Sequence, residues 1–157
     1  MKFLIIGGTG LISTSITRFL LEAGEDVTLY NRGKGEARFP DGAKRIFGDR
    51  KQYAAFEQQM GESGLFDCVM DMVCFLPEEA ESAVRAFRGR VGQFIFCSTV
   101  DVYNKPARRL PYTEDEPRSG ITDYGRNKVK CEDIFLQAHE RGDFPATIIR
   151  PAATYGE

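Results

Sequence analysis

The sequence predicts an α/β domain built on a doubly wound parallel sheet. Three observations carry that expectation. An apolar strand runs into a glycine turn and then a helix at the N-terminus; strands and helices go on alternating to the end; and no linker or internal repeat divides the 157 residues. A chain of that length buries one core and leaves little for a second lobe.

Phe3-Leu4-Ile5-Ile6 is a short apolar run bounded by Gly7, as expected of a strand buried on both faces. Leu11, Ile12, Ile16, Phe19, Leu20 and Ala23 then recur at helical spacing, and Gly24 sits where such a helix would stop. Val27 to Tyr30 reads as a second strand, Lys44 to Phe47 as a third on the edge side, and Tyr53 to Met60 as a helix. Cys68 to Val73 is the fourth strand. Pro77 suits a first helical position, and Ala80, Ala83, Val84 and Phe87 continue from it before Gln93 to Cys97 returns to strand. A long helix from about Ile121 to His139 precedes the last strand, Thr147 to Arg150. Parallel neighbours need helical crossovers, so this alternation implies helices on both faces of the sheet. The longest stretch without periodicity runs from Asp101 to Gly120 and contains Pro106, Pro111 and Pro117; loops of that length are usually functional or disordered.

Composition narrows the function classes. With 42% apolar and 28% charged residues the chain reads as an ordinary folded domain. Its net charge of -2 offers no general attraction to a nucleic-acid backbone, although Lys105, Arg108 and Arg109 form a small basic cluster. Cys68, Cys74, Cys97 and Cys131 lack the close pairing of a zinc site and read as buried thiols, so no metal is expected. The apolar start ends at Gly7, too soon for a secretion signal, and no run is long enough to span a bilayer; a cytoplasmic protein with reduced thiols is the expectation. His139, late in the long helix among Gln137, Glu140 and Arg141, reads as a surface residue without a catalytic partner.

Gly7-Gly8-Thr9-Gly10-Leu11-Ile12-Ser13 falls between the first strand and its helix. There a dinucleotide's pyrophosphate meets backbone N–H groups and the positive end of the helix, and a side chain would block the approach. Gly7, Thr9, Gly10, Leu11 and Ile12 are therefore candidate cofactor-binding residues. At this point the sequence resembles the extended short-chain dehydrogenase/reductase family, whose members include NAD-dependent epimerases and dehydratases. That family's turn reads Gly-x-x-Gly-x-x-Gly, here Gly7, Gly10 and Ser13. Ser13 departs from the pattern but is small enough for close helix packing, and its hydroxyl could reach phosphate. The resemblance implies a Rossmann-like domain that binds NAD or NADP.

An acidic residue after the second strand would hold the adenosine ribose of NAD; this chain has Asn31-Arg32-Gly33-Lys34, and cations suit a 2'-phosphate better. The cations Arg32 and Lys34 thus favour NADP over NAD, and Asn31 and Arg32 are candidate cofactor-binding residues. In Gly48-Asp49-Arg50, Asp49 stands where the family commonly binds the adenine amino group, and Arg50 beside it is a further candidate.

Tyr124-Gly125-Arg126-Asn127-Lys128 places a tyrosine and a lysine four apart, on one face of the long helix. Ser98-Thr99-Val100-Asp101-Val102-Tyr103 ends the fifth strand, where open α/β sheets hold their ligands. Both segments are similar to the family's, and so is Arg150-Pro151-Ala152-Ala153-Thr154-Tyr155-Gly156. The resemblance implies Tyr124 as acid/base, Lys128 as its electrostatic support and a hydrogen bond to the nicotinamide ribose, and Thr99 as the donor that positions the reacting oxygen. A phenol with an ordinary pKa of about 10 is a poor base at neutral pH, so Tyr124 must be shifted to serve as one.

The family builds its substrate lobe largely from sequence after the Arg-Pro-x-x-x-Tyr-Gly segment. Residues 1–157 are therefore expected to be an NAD(P)-binding domain cut from a longer enzyme, with the substrate lobe largely absent and activity weak or lost. The implied substrate is a nucleotide sugar or related small molecule, and the implied assembly a homodimer through the long helices. Dehydratases of the family often follow the catalytic threonine with Asp-Glu; here Val100-Asp101 follows, which favours epimerisation or reduction. A different reading is a non-catalytic, dinucleotide-sensing or RNA-associated module. The Asn31 to Lys34 and Gly48 to Lys51 segments look like those of plant chloroplast RNA-binding relatives, although those relatives often lose the Tyr-x-x-x-Lys pair that this chain keeps.

Overall fold

The computed structural model describes residues 1–33 and 40–155. In chain order the elements are β1 (Lys2–Ile6), α1 (Leu11–Glu22), β2 (Asp26–Asn31), β3 (Lys44–Phe47), α2 (Tyr53–Glu62) and β4 (Phe66–Asp71). After them come α3 (Pro77–Phe87), β5 (Val91–Cys97), a single 3₁₀ turn at Val100–Val102, α4 (Asp123–Glu140) and β6 (Ala146–Ile149). The six strands form one parallel sheet in the order β3-β2-β1-β4-β5-β6. The expected doubly wound topology is present, with β3 on an edge. Strand order reverses between β1 and β4, and the crevice beyond their C-terminal ends is where such sheets bind ligands.

The apolar runs explain the central strands. Phe3 to Ile6 are all buried, and their alternation divides the core. Phe3 and Ile5 join Leu20, Val27, Leu29 and Cys68 on the face covered by α1. Leu4 and Ile6 join Tyr30, Val69, Phe94 and Phe96 on the face covered by α2, α3 and α4. There Phe94 meets Phe135 and Phe144 at 5.0 and 4.9 Å between ring centroids, within the range of favourable aromatic pairs. α3 begins at Pro77, and the Glu79 carboxylate accepts the N–H groups of Phe75 (2.6 Å) and Leu76 (3.0 Å), closing its first turn.

Three boundaries differ from the sequence expectation. β4 stops at Asp71 because that carboxylate accepts the Val73 N–H at 3.1 Å and turns the chain. α4 starts at Asp123, two residues later than expected, because the Thr122 hydroxyl caps it by accepting the Gly125 N–H at 3.0 Å. The stretch from Asp101 opens inside the 3₁₀ turn, which Thr99 caps by accepting the Asp101 N–H at 3.2 Å.

All four cysteines are buried and free, as the sequence suggested. Burial pushes the Cys68 thiol up to about 11 and raises Cys97 as well. Cys74 is raised by its contact with Cys131, 3.9 Å away, and then by burial. Thiolate is the reactive species. A disulfide reagent such as dithionitrobenzoate should therefore label the native chain slowly and release all four thiols only across the urea transition; fast labelling before unfolding would contradict this picture.

Candidate active site

The glycine turn is held by its own backbone and by Ser13. Gly7 has φ +84, and a Cβ there would lie 2.4 Å from Val73 Cγ1. Its N–H reaches the Tyr30 carbonyl at 2.9 Å, tying the turn to β2. Ser13 is buried, and its hydroxyl donates to the Gly7 carbonyl and accepts the Gly10 N–H, both at 2.8 Å. The idea that this hydroxyl reaches phosphate is therefore corrected: Ser13 fastens the turn from inside and gives the close packing that the missing glycine would. Thr9 and Gly10 remain exposed at the top. Leu11 and Ile12 open α1 without an acidic residue in its first turn, so their N–H groups present the positive end of a twelve-residue helix.

A cavity of about 450 Å³ opens above this turn, lined by Gly7, Thr9 and Gly10 and, across it, by Asn31, Arg32 and Asp49. The room and the exposed Gly10 backbone fit a dinucleotide phosphate. Asn31 accepts the Gly33 N–H through Oδ1 at 3.1 Å, while its amide nitrogen Nδ2 is buried without a partner among the described residues. Arg32 is exposed; Lys34 lies outside the described residues. Asp49 accepts the Lys51 N–H at 3.0 Å, an ordinary turn contact that leaves its other oxygen for a ligand. Arg50 lines the cavity too, but its guanidinium turns inward. Nη1 pairs with buried Asp71, and Nη2 donates to the Glu79 carbonyl at 2.8 Å. Arg50 therefore stands at the cavity as a candidate contact whose charge is matched by Asp71 beneath the floor.

The second constellation lies at the end of β5. α4 places Tyr124 and Lys128 one turn apart, as the spacing required. Tyr124 is 42% exposed, whereas Lys128 is buried and donates to the Cys97 carbonyl at 2.7 Å. Burial raises the Tyr124 phenol above its ordinary value, more than a hydrogen bond with Thr99 lowers it. The expected downward shift is therefore absent. Burial also lowers the Lys128 ammonium, partly offset by Cys74, Asp71, Cys97 and Cys131.

Sequence reasoning missed the buried carboxylate one turn further along α4. Glu132 is fully buried. Its Oε1 accepts the Ser98 hydroxyl at 2.5 Å and Arg150 Nε at 2.9 Å; its Oε2 accepts Arg150 Nη2 at 2.9 Å and pairs with Arg118. Arg150 also donates to the Tyr103 hydroxyl at 2.7 Å. One carboxylate thus gathers the ends of β5 and β6 and the 101–120 segment around Thr99. The available signal was the continued four-residue spacing Tyr124, Lys128, Glu132 on a face otherwise apolar. His139 is exposed, and its ring nitrogen accepts the Ala146 N–H at 3.1 Å, a surface role. Among the described residues no helix is long and apolar enough to cross a membrane, and no group of three metal-ligating side chains comes together.

A parallel sheet with this strand order and a glycine turn at its switch point defines a Rossmann-like dinucleotide-binding domain. The chain belongs to the NAD dependent epimerase/dehydratase family, which it matches over residues 3–157. It is 33% identical to the chloroplast stem-loop binding protein of 41 kDa b from Arabidopsis thaliana, across 99% of this chain and 42% of that protein. It is 26% identical to 2'-dehydrokanamycin reductase from Streptomyces kanamyceticus, across 99% of this chain and 43% of that one. The chain therefore spans a little under half the length of these relatives. The solved UDP-Glc/GlcNAc 4-epimerase from Campylobacter jejuni shares the fold, with a TM-score of 0.83 and 20% identity over 95% of this chain and 52% of its own.

Proposed function

We propose that this chain is the dinucleotide-binding part of an NAD(P)-dependent epimerase or reductase acting on a nucleotide sugar or a related small molecule. The observation that supports the reading is the arrangement at the strand ends, where Tyr124 shares a hydrogen bond with Thr99 and its ring centroid lies 5.8 Å from the Lys128 ammonium, with Phe75 between this pair and the cavity of the glycine turn. The cofactor, when bound, supplies hydride transfer. Gly7, Thr9, Gly10, Leu11 and Ile12 receive its pyrophosphate, and Asp49 accepts from the adenine amino group. Thr99 orients the reacting oxygen. Tyr124 holds its proton through the neutral range because burial raises its pKa. It is thus set to donate to a carbonyl oxygen, the direction of reduction, and removing a proton from an alcohol needs the Lys128 cation to draw nearer. A homodimer through the long helices fits the same reading.

Within this reading NADP is favoured over NAD. The second strand ends in a neutral amide and an exposed cation, so among the described residues that follow it a ribose hydroxyl pair meets no carboxylate while a 2'-phosphate meets Arg32. Calorimetric titration should give tighter binding of NADPH than NADH, and Arg32→Ala should weaken NADPH by roughly tenfold, the worth of about 1.4 kcal/mol from one charge-assisted contact. Equal affinities unchanged by Arg32→Ala would reject the preference, and binding of neither nucleotide would reject the function.

One comparison favours the RNA-associated reading: the Arabidopsis relative is named for stem-loop binding. The charges speak against it here. In the basic cluster Lys105 pairs with Asp101, Arg108 with Glu116 and Arg109 with Asp115, so little free positive charge remains for phosphates. RNA binding that persists at raised salt would favour that alternative.

A further inference from the structure

Phe75 belongs to two places at once. It stands in the turn between β4 and α3, 44% exposed, and lines the nucleotide cavity. Its ring also lies 6.4 Å from that of Tyr124 and 5.0 Å from the Lys128 ammonium. Neither Tyr124 nor Lys128 lines that cavity; Phe75 is the wall they share with it.

The ammonium needs such a wall. Lys128 is 1% exposed, and its hydrogen bond goes to the Cys97 carbonyl. A cation so far from water tends to lose its proton unless other groups replace the hydration. The charged and titratable groups facing it are Asp71 from β4, Cys74 from the β4–α3 turn, Cys97 from β5, and Cys131 and Tyr124 from α4. Of these, Asp71 already pairs with Arg50, the Cys74 thiol is raised by its contact with Cys131 and by burial, and the Cys97 thiol is raised by burial. Aromatic faces remain. Phe96 lies 4.6 Å from the nitrogen, Phe75 5.0 Å and Tyr124 5.8 Å, all within reach of a cation–π interaction.

We propose that Phe75 is a positioning residue for Lys128: its ring completes an aromatic cradle that keeps the buried ammonium charged beside Tyr124. The role rests on reading Tyr124 and Lys128 as a working pair, but its main test requires neither turnover nor cofactor. Because Phe75 is half-exposed, its replacement leaves the core intact.

The test is a pH titration of the lysine side chains by NMR in uniformly lysine-labelled protein, with Lys128 assigned by its loss in Lys128→Arg. Phe75→Leu keeps apolar cover and removes the ring, so the Lys128 midpoint should fall by about half to one unit, a three- to tenfold loss of proton affinity. Phe75→Tyr should restore it. An unchanged or raised midpoint in Phe75→Leu would mean that the side chain merely excludes water, and would overturn the proposal. Phe75→Met serves in the same way should the leucine variant fold poorly. Binding of NADPH and of ADP-ribose by the same proteins keeps the two readings separable. Failure of the wild type to bind either removes the proposed function and leaves the lysine titration to decide the role of Phe75.

Discussion

Glu132→Ala is expected to cost about 3 kcal/mol of folding free energy, the lower end of the range for breaking a buried ion pair because Arg118 keeps partial contact with water. The carboxylate is fully buried and satisfies Ser98, Arg118 and Arg150 together; without it two guanidinium groups face each other across a void. For a chain of this size the thermal midpoint should drop by roughly 6–12 °C, measured by circular dichroism. Glu132→Gln should lose less, since the amide fills the space and still accepts through one oxygen. A shift of only a degree or two in the alanine variant would mean that water replaces the carboxylate. The acid limb should report the same group. Burial alone would raise the Glu132 carboxyl, but hydrogen bonds from Arg150 and Ser98 and the charge of Arg150 hold it below its ordinary 4.5. A carboxylate depressed in the folded chain contributes stability that is present above the unfolded value and is lost as pH falls through the lower folded one. Urea-unfolding free energies of the wild type should therefore decline below about pH 5 more steeply than those of Glu132→Gln.

That network also shows where the sequence stops being legible. Phe3 to Ile6, the helical repeat from Leu11 to Leu20 and the run from Phe94 to Cys97 announce themselves because burial imposes a local period on neighbouring residues. The sheet and its direction follow from those periods, and the glycine turn from its place between a strand and a helix. Ion pairs impose no period. Ser98, Arg118, Glu132 and Arg150 come from four separate segments, and nothing in their spacing couples them. Arg50 illustrates the same limit. Its position beside Asp49 pointed to the cofactor, yet its orientation is decided by Asp71, which only the pairing of β4 with β1 brings into place. In the sequence Phe75 is one apolar residue shortly after a strand. Its significance arises from α4, which swings Lys128 back across the sheet to meet it.

Two alanine substitutions in the glycine turn should separate what the fold needs from what the ligand needs. Gly7→Ala meets two obstacles: φ of +84, and Val73 Cγ1 at 2.4 Å from the new Cβ. A left-handed alanine costs about 1–2 kcal/mol and overpacking about 1–3, so a loss of roughly 2–5 kcal/mol is expected in urea unfolding. In Gly7→Ala with Val73→Ala the clash is relieved and the strain is not, so the double variant should be more stable than the sum of the single losses implies. Strict additivity would show that Val73 moves aside freely. Gly10→Ala is the opposite case. Gly10 has φ -88 and ψ 174, which any residue adopts, and a Cβ there meets nothing closer than Ser13 Oγ at 3.5 Å. Its stability should stay within about 0.5 kcal/mol of the wild type, the usual range for an exposed site. Yet a methyl group at that point occupies the surface where a pyrophosphate would approach the first N–H groups of α1, so NADPH affinity should fall tenfold or more, about 1.4 kcal/mol per decade. A folded Gly10→Ala chain that binds NADPH as tightly as the wild type would place the phosphates elsewhere. The cavity between Asn31 and Asp49 would then have to hold the nucleotide without the helix, and the case for a pyrophosphate at this turn would be lost.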